Sequence, residues 1–224
     1  MVNYAIILSG GFGVRFGGDM PKQFIEIDAK PILWHTVKAF NECKVIDKII
    51  VVANHNFVDD TKNIVNKFSK VENIVAGGKE TRSQSAYNGV MAVGENAKNI
   101  LIHDGVRPFV SNQIIENCIK ALENYDCVST VLPACDTLYE MEGSKVKNIP
   151  NRGNFVMAQT PQGFKYETIK QAYEMYEEKL TFSDDVSLIK HYLPNTKITV
   201  VSGNKNNIKV TKQFDIKLAE ELIK

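Results

Sequence analysis

Residues 8–24 read LSGGFGVRFGGDMPKQF, placing five glycines, one arginine and one lysine in a stretch of seventeen residues. Gly10, Gly11 and Gly13 let a backbone approach a phosphate and aim its N–H groups at it. Arg15 and Lys22 add cations suited to several phosphate charges at once, as in a triphosphate. Neither common glycine fingerprint is met. Gly11, Gly13 and Gly17 are spaced G-x-G-x-x-x-G, not the dinucleotide G-x-G-x-x-G, and Gly17, Gly18 and Pro21 leave no clean helix behind them. In the P-loop register, Gly13 and Gly18 are followed by Asp19 where lysine is required. The loop is either a flexible connection or a triphosphate cradle, and the two cations favour the cradle.

Four further clusters could do chemistry. In GGKETRSQS (77–85), Gly77 precedes Arg82 and Ser85, which fall one turn apart at a helix start. There a hydroxyl and free N–H groups can read a base edge or a phosphate; the plainer alternative is a capped helix with a solvated arginine. In HDGVRPF (103–109), Asp104 ends an apolar strand and is placed to hold Mg²⁺, with Arg107 reaching a second phosphate. Asp104 could instead simply pair with Arg107, and His103 suits an orienting or core role. In NNIKVT (206–211), a strand end would send Ile208 and Val210 into the core and leave Lys209 and Thr211 on the other face. In SDDVS (183–187), Ser183 is either a helix N-cap or a substrate contact. Five cations (Arg15, Lys22, Arg82, Arg107 and Lys209) with one acid, Asp104, and no Ser-His-Asp or Cys-His set point to phosphoryl or nucleotidyl transfer by charge stabilisation.

The elements that must bring these clusters together are short apolar runs alternating with helical periods. Strands are expected at 4–8, 48–53, 72–76, 99–103, 127–133 and 197–202. Helices are expected near 31–42, 57–68, 83–94, 111–123, 165–178, 185–192 and 213–223. Most strands are apolar throughout, as parallel strands covered on both faces are, so the pattern predicts a doubly wound, Rossmann-like, mostly parallel α/β sheet. Such sheets bind ligands at the carboxyl ends of their strands, where these clusters fall. Residues 136–157 break the rhythm with a Gly-Ser turn between alternating segments and read as a β-hairpin arm. The expectation is a single domain over residues 1–224 with this arm inserted.

Composition excludes several other classes. The 224 residues are 44% hydrophobic with a formal net charge of +1, which gives no global footprint for nucleic acid or an anionic membrane. Four cysteines without a C-x-x-C pair read as buried free thiols, and four histidines show no zinc spacing. With no signal-peptide pattern and no run of about 20 apolar residues, the default is a cytoplasmic protein.

Taken in order, LSGGFGVRFGGDMPKQF, GG…R..S, HDGVRPF, DT, AQTPQGF, SDD and NIKVT resemble the IspD/TarI family of CTP-dependent cytidylyltransferases, over residues 4 to 222. That family makes CDP-methylerythritol for isoprenoids, or CDP-ribitol for teichoic acid and capsule. The resemblance implies a GT-A-like nucleotidyltransferase fold, with CTP as substrate and Mg²⁺ or another divalent cation as cofactor. It implies that Leu8, Ser9, Gly10, Gly11 and Gly13 line the CTP, with Arg15, Lys22 and Lys209 catalytic. Gly77, Arg82 and Ser85 belong to the cytidine pocket, and Asp104 with Gly105 to the CTP site, Asp104 also holding the metal. Arg107, Thr137, Arg152, Thr160 and Ser183 fall at acceptor positions. The arm bearing Thr137 and Arg152 is implied to cross to a second subunit, giving a homodimer.

GGKETR is one residue longer than the usual pattern, and Ser183 stands where threonine is common. The acceptor is an alditol phosphate. Val106 in HDGVRPF, DTLY, SGG and IPNR resemble the ribitol-phosphate branch, whereas AQTPQGF and SDDVSL resemble the methylerythritol branch. Ribitol 5-phosphate is favoured, with 2-C-methyl-D-erythritol 4-phosphate as the alternative. An NAD-dependent oxidoreductase is disfavoured by the loop spacing and by the lack of an acid about 20 residues on. A non-catalytic nucleotide-sensing module would not need Asp104, Lys22 and Lys209 together.

Overall fold

The structure is a computed structural model that describes residues 1–11 and 21–224. After β1 (Val2–Ser9), a 3-10 turn at Lys22–Phe24 leads to the two-residue strands β2 (Glu26–Ile27) and β3 (Lys30–Pro31). The chain continues through α1 (Ile32–Glu42), β4 (Lys48–Ala53), α2 (Val58–Val65), β5 (Val71–Ala76), α3 (Arg82–Met91), β6 (Ala97–Asp104) and α4 (Asn112–Ala121). It ends with β7 (Cys127–Pro133), β8 (Glu140–Glu142), β9 (Lys145–Asn148), β10 (Val156–Lys165), α5 (Tyr166–Glu174), α6 (Asp185–Tyr192), β11 (Ile198–Ser202) and α7 (Gln213–Leu222).

Seven strands form one sheet in the order β11-β7-β10-β6-β1-β4-β5, with β10 antiparallel to both neighbours and the other pairings parallel. All six expected strands are present. Their unbroken apolar character has the expected cause. Along β1, Tyr4, Ile6 and Leu8 enter one core while Ala5 and Ile7 enter another on the opposite face. The strand order reverses around β1, where β4 lies on one side and β6 on the other, so a crevice opens at its carboxyl end. There Leu8 is in register with Asp104.

The hairpin arm is present as β8 and β9 with Gly143 in the left-handed region at the turn (φ 59°). Its apolar side chains Tyr139, Met141, Val146, Ile149 and Phe155 are exposed. Three cysteines are buried as expected, but Cys135 is exposed, because it lies beyond the end of β7 where the chain leaves the core. Among the described residues, no helix is long and apolar enough to cross a membrane.

Two segments differ from expectation. Residues 206–211 form no strand; the stretch lies outside the sheet, with the Val210 N–H on the Val106 carbonyl at 2.9 Å and Val210 buried against Ile27, Ile32 and Ala219. The strand β10 is unforeseen in the sequence reading, because Pro161 and Gly163 look like strand breakers. A register shift between Gln159 and Gln162 accommodates the proline. The glycine is required by packing: a Cβ on Gly163 would lie 2.7 Å from Val128 Cγ1 and 2.8 Å from Leu101 Cδ2. Gly163→Ala should therefore destabilise the protein by about 1–2 kcal/mol, overpacking outweighing the backbone-entropy gain. Equilibrium urea unfolding checks this, and a variant as stable as the parent would overturn the packing argument.

Candidate active site

A cleft of about 580 Å³ opens at the carboxyl ends of β1, β4, β5 and β6, lined by Leu8, Ser9, Gly10 and Gly11 with Lys22, Arg82, Ser85, Asp104 and Lys209. The start of the glycine loop is fixed by two side chains that donate to its carbonyls. Gln23 Nε2 reaches the Ser9 oxygen at 2.8 Å and the Gly11 oxygen at 3.1 Å, and Asn54 Nδ2 reaches the Gly10 oxygen at 2.8 Å. Ser85, on the first turn of α3, sits between two glycines: a Cβ on either Gly10 or Gly77 would come within 2.8 Å of its Oγ. Its hydroxyl accepts the Gly78 N–H at 3.1 Å. The helix is started by a capping box between Thr81 and Gln84, which leaves Arg82 free to turn inward.

Asp104 is the centre of the charge arrangement. Its Oδ2 lies 3.0 Å from Lys209 Nζ and 3.1 Å from Arg107 Nε, and its Oδ1 is 3.8 Å from Arg82 Nε. Arg82 is shared with the buried Asp185, whose Oδ2 is 2.7 Å from Nη2 and whose Oδ1 accepts the Tyr173 hydroxyl at 2.6 Å. Burial alone would raise the Asp104 carboxyl; Lys209, Arg82 and Arg107 more than reverse this and hold it well below the usual carboxylate range. Three cations thus share two carboxylates, and Lys22 adds positive charge on the same cleft. The arrangement is built to receive a multiply charged anion.

Behind Asp104 the backbone is tied as tightly as the side chain. The Asp104 N–H donates to Thr160 Oγ1 at 3.1 Å, and the Gly105 N–H to the Leu8 carbonyl at 2.8 Å. Thr36 Oγ1 holds the Gly105 carbonyl at 3.0 Å. Arg107 extends past Asp104 to the Asn207 carbonyl, 2.9 Å from Nη1.

Among the described residues, no three His, Cys, Asp or Glu side chains group to hold a metal. Asp104 and Glu80 are carboxylates lining the cleft, and Asp104, the one set among the cations, fits Mg²⁺ of the kind held by one carboxylate and substrate phosphates, not an all-protein cage. In the protein alone, Asp104 makes the pairing with Arg107 that the sequence allowed, and Lys209 joins it.

The structure brings together Leu8, Ser9, Gly10, Gly11, Lys22, Gly77, Arg82, Ser85, Asp104, Gly105 and Lys209, with Arg107 and Thr160 behind Asp104. Gly13 and Arg15 lie outside the described residues. Thr137 and Arg152 are exposed on the arm, where the Arg152 guanidinium holds the Cys135 carbonyl, and neither lines the cleft. Ser183 is exposed and does not cap α6. Asp184 is the cap, because its carboxylate accepts the Ser187 N–H at 2.8 Å and completes a capping box. Gln23, Asn54, Asp185 and Asn207 went unnoticed in the sequence. Only Gln23 carried a signal, as a polar residue adjoining Lys22.

A family model described as IspD: 2-C-methyl-D-erythritol 4-phosphate cytidylyltransferase matches residues 3–224. A 2-C-methyl-D-erythritol 4-phosphate cytidylyltransferase of Clostridium perfringens is 41% identical over 98% of this chain and 98% of its own length. The bifunctional ribulose 5-phosphate reductase/CDP-ribitol pyrophosphorylase Bcs1 of Haemophilus influenzae is 39% identical over 98% of this chain, which spans 48% of that protein. The crystal structure of a 4-diphosphocytidyl-2C-methyl-D-erythritol synthase from Anaerococcus prevotii superposes with a TM-score of 0.88 at 32% identity, covering 99% of this chain and 98% of the other.

His103, next to Asp104, is wholly buried against Phe40, with Nε2 on the Arg107 carbonyl at 3.1 Å. Burial pushes its pKa down to about 4. Between about pH 6.5 and that value the unfolded chain takes up a proton that the native state refuses. Stability is therefore full above about pH 6.5 and falls as pH drops, by about 2 kcal/mol by pH 5. Urea unfolding at pH 7.5 and pH 5 should show a smaller acid loss in His103→Gln than in the parent; equal losses would contradict the assignment.

Proposed function

Because the chain belongs to the IspD family of cytidylyltransferases, we propose that it transfers CMP from CTP to an alditol phosphate, releasing pyrophosphate. The observation that carries this reading is Asp104 held among Lys209, Arg107 and Arg82 opposite the glycine loop. An acceptor phosphate oxygen attacks the α-phosphorus in line; the new P–O bond forms as the bond to the bridging oxygen breaks, and the electron pair departs with pyrophosphate. A phosphate dianion is already a nucleophile, so no general base is needed, in keeping with a buried histidine that stays neutral. Lys22 and Lys209, with Arg15, offset the charge that builds on the α-phosphoryl oxygens. Glycine-loop N–H groups bind the triphosphate, and Ser85 with Gly77 faces the cytidine. Mg²⁺, held by Asp104 and the phosphates, would supply further charge neutralisation.

Arg107, Thr160 and Ser183 serve the acceptor side in this reading. Thr137 and Arg152 reach the site from a partner subunit in this reading. Exposed apolar side chains on the arm support that use: a solvated hairpin gains nothing from Tyr139, Met141, Ile149 and Phe155, whereas a subunit interface does.

Ribitol 5-phosphate is the proposed acceptor, on Val106, the DTLY run and the IPNR run; the CDP-ribitol pyrophosphorylase relative lends support. The methylerythritol phosphate reading is favoured by the 41% identical relative. Purified protein given CTP, Mg²⁺ and either acceptor decides by pyrophosphate release. Higher kcat/KM with ribitol 5-phosphate is expected; turnover with the methylerythritol phosphate alone reverses the choice. Lys22→Ala should lower kcat by about 10² or more, the scale of losing one preorganised charge contact. Near-normal turnover in that variant would sink the mechanism.

The arm yields a separate expectation. Sedimentation should find the parent dimeric at micromolar concentration and the Met141→Asp, Phe155→Asp double variant monomeric. A monomeric parent would remove the shared-site reading.

A further inference from the structure

We infer that Asn207 is a positioning residue that sets Lys209 and Arg107 against Asp104, an inference that rests on the nucleotidyl-transfer reading. Asn207 is fully buried, although its segment belongs to no strand or helix. A buried amide is costly unless it is hydrogen-bonded, so its bonds show what it is for. Its Nδ2 donates to the Thr160 carbonyl at 2.8 Å and its backbone carbonyl accepts from Arg107 Nη1 at 2.9 Å, while its Oδ1 is buried with no hydrogen-bond partner among the described residues. Gln159 Nε2 reaches the same backbone carbonyl at 3.2 Å.

These bonds close a ring. Asp104 donates its N–H to the Thr160 hydroxyl, Thr160 offers its carbonyl to the Asn207 side-chain amide, and Asn207 offers its backbone carbonyl to Arg107. Arg107 returns to the Asp104 carboxylate at 3.1 Å. Lys209 leaves the backbone two residues after Asn207. One residue further on, Val210 is anchored to the Val106 carbonyl at 2.9 Å. The stretch bearing Lys209 is thus pinned on both sides, and its ammonium meets Asp104 at 3.0 Å. Sheet pairing does not hold this stretch; the backbone at Asn207 and Val210 and the side-chain amide of Asn207 do, and of these only the amide is set by residue type. Lysine has a long flexible stem, and a misplacement of about 1 Å can cost on the order of 10²-fold in rate.

The test measures steady-state pyrophosphate release, CTP affinity by calorimetry and thermal unfolding for the parent, Asn207→Ala and Asn207→Asp, each also in a Lys209→Ala background. Asn207→Asp keeps the volume and removes the donor to Thr160, and it decides the matter if the alanine variant does not fold. The expected result is a fall in kcat of roughly 10- to 100-fold with the CTP Kd within about threefold of the parent. In the Lys209→Ala background the same substitution should cost less than about threefold more, because two residues acting as one unit are not additive. A kcat within about twofold of the parent overturns the inference, as does an equal fold-loss with and without Lys209, which marks a merely structural role. If neither variant folds, Asn207 is a folding determinant and the inference fails. A parent that releases no pyrophosphate with either acceptor overturns the transfer reading itself and this assignment with it.

Discussion

A carboxylate taken out of water among three cations is the constraint around which this molecule is arranged. Asp104 would be expensive to bury alone, and Arg82, Arg107 and Lys209 would repel one another without it. Each makes the others tolerable. Arg82 is also claimed by Asp185, and Lys22 and Glu80 stand on the same cleft. A triphosphate entering such a site meets cations already gathered and oriented, so little reorganisation is left for the moment of reaction.

The scaffold is organised to keep that cluster at one address. Parallel strands covered on both faces make a rigid floor. The reversal of strand order at β1 opens a crevice at the carboxyl end of the sheet, where Gly10 and Gly11 lie. The pairing of Leu8 with Asp104 then sets the glycine loop beside the acid by register alone. Polar side chains complete what the sheet cannot: Gln23 and Asn54 hold carbonyls of the loop, and Thr160 holds the Asp104 amide.

Much of this was legible in the residues. Apolar runs such as KIIVVA and NILIH announce two-sided burial because the requirement is periodic and local, and Lys22, Arg82 and Asp104 meet on one cleft because each lies in a segment near the carboxyl end of a strand. What escaped was non-local. The strand β10 hides behind Pro161 and Gly163, whose suitability depends on a register shift and on Val128 and Leu101, side chains far away in sequence. Ser183 and Asp184 are equally good caps on paper, and it is Asp184 that forms the capping box with Ser187. Asn207, Gln23 and Asn54 act by gripping backbone oxygens, a role with no spacing to betray it. The Asp104–Arg107 pairing was legible as the alternative to a metal and phosphate role, because residues three apart on a turn can fold back on each other.

The antiparallel strand β10 has a mechanical meaning. It begins at Val156, at the root of the arm, and four residues later presents Thr160 to the back of Asp104, a run of about 13 Å at ordinary strand rise. Over Val156–Gln159 it is paired with β7, and β6 joins on the other side from Gln162. Arm and charge cluster are therefore joined through one strand segment, and a displacement at the root of the arm has a short, β7-paired path to Thr160.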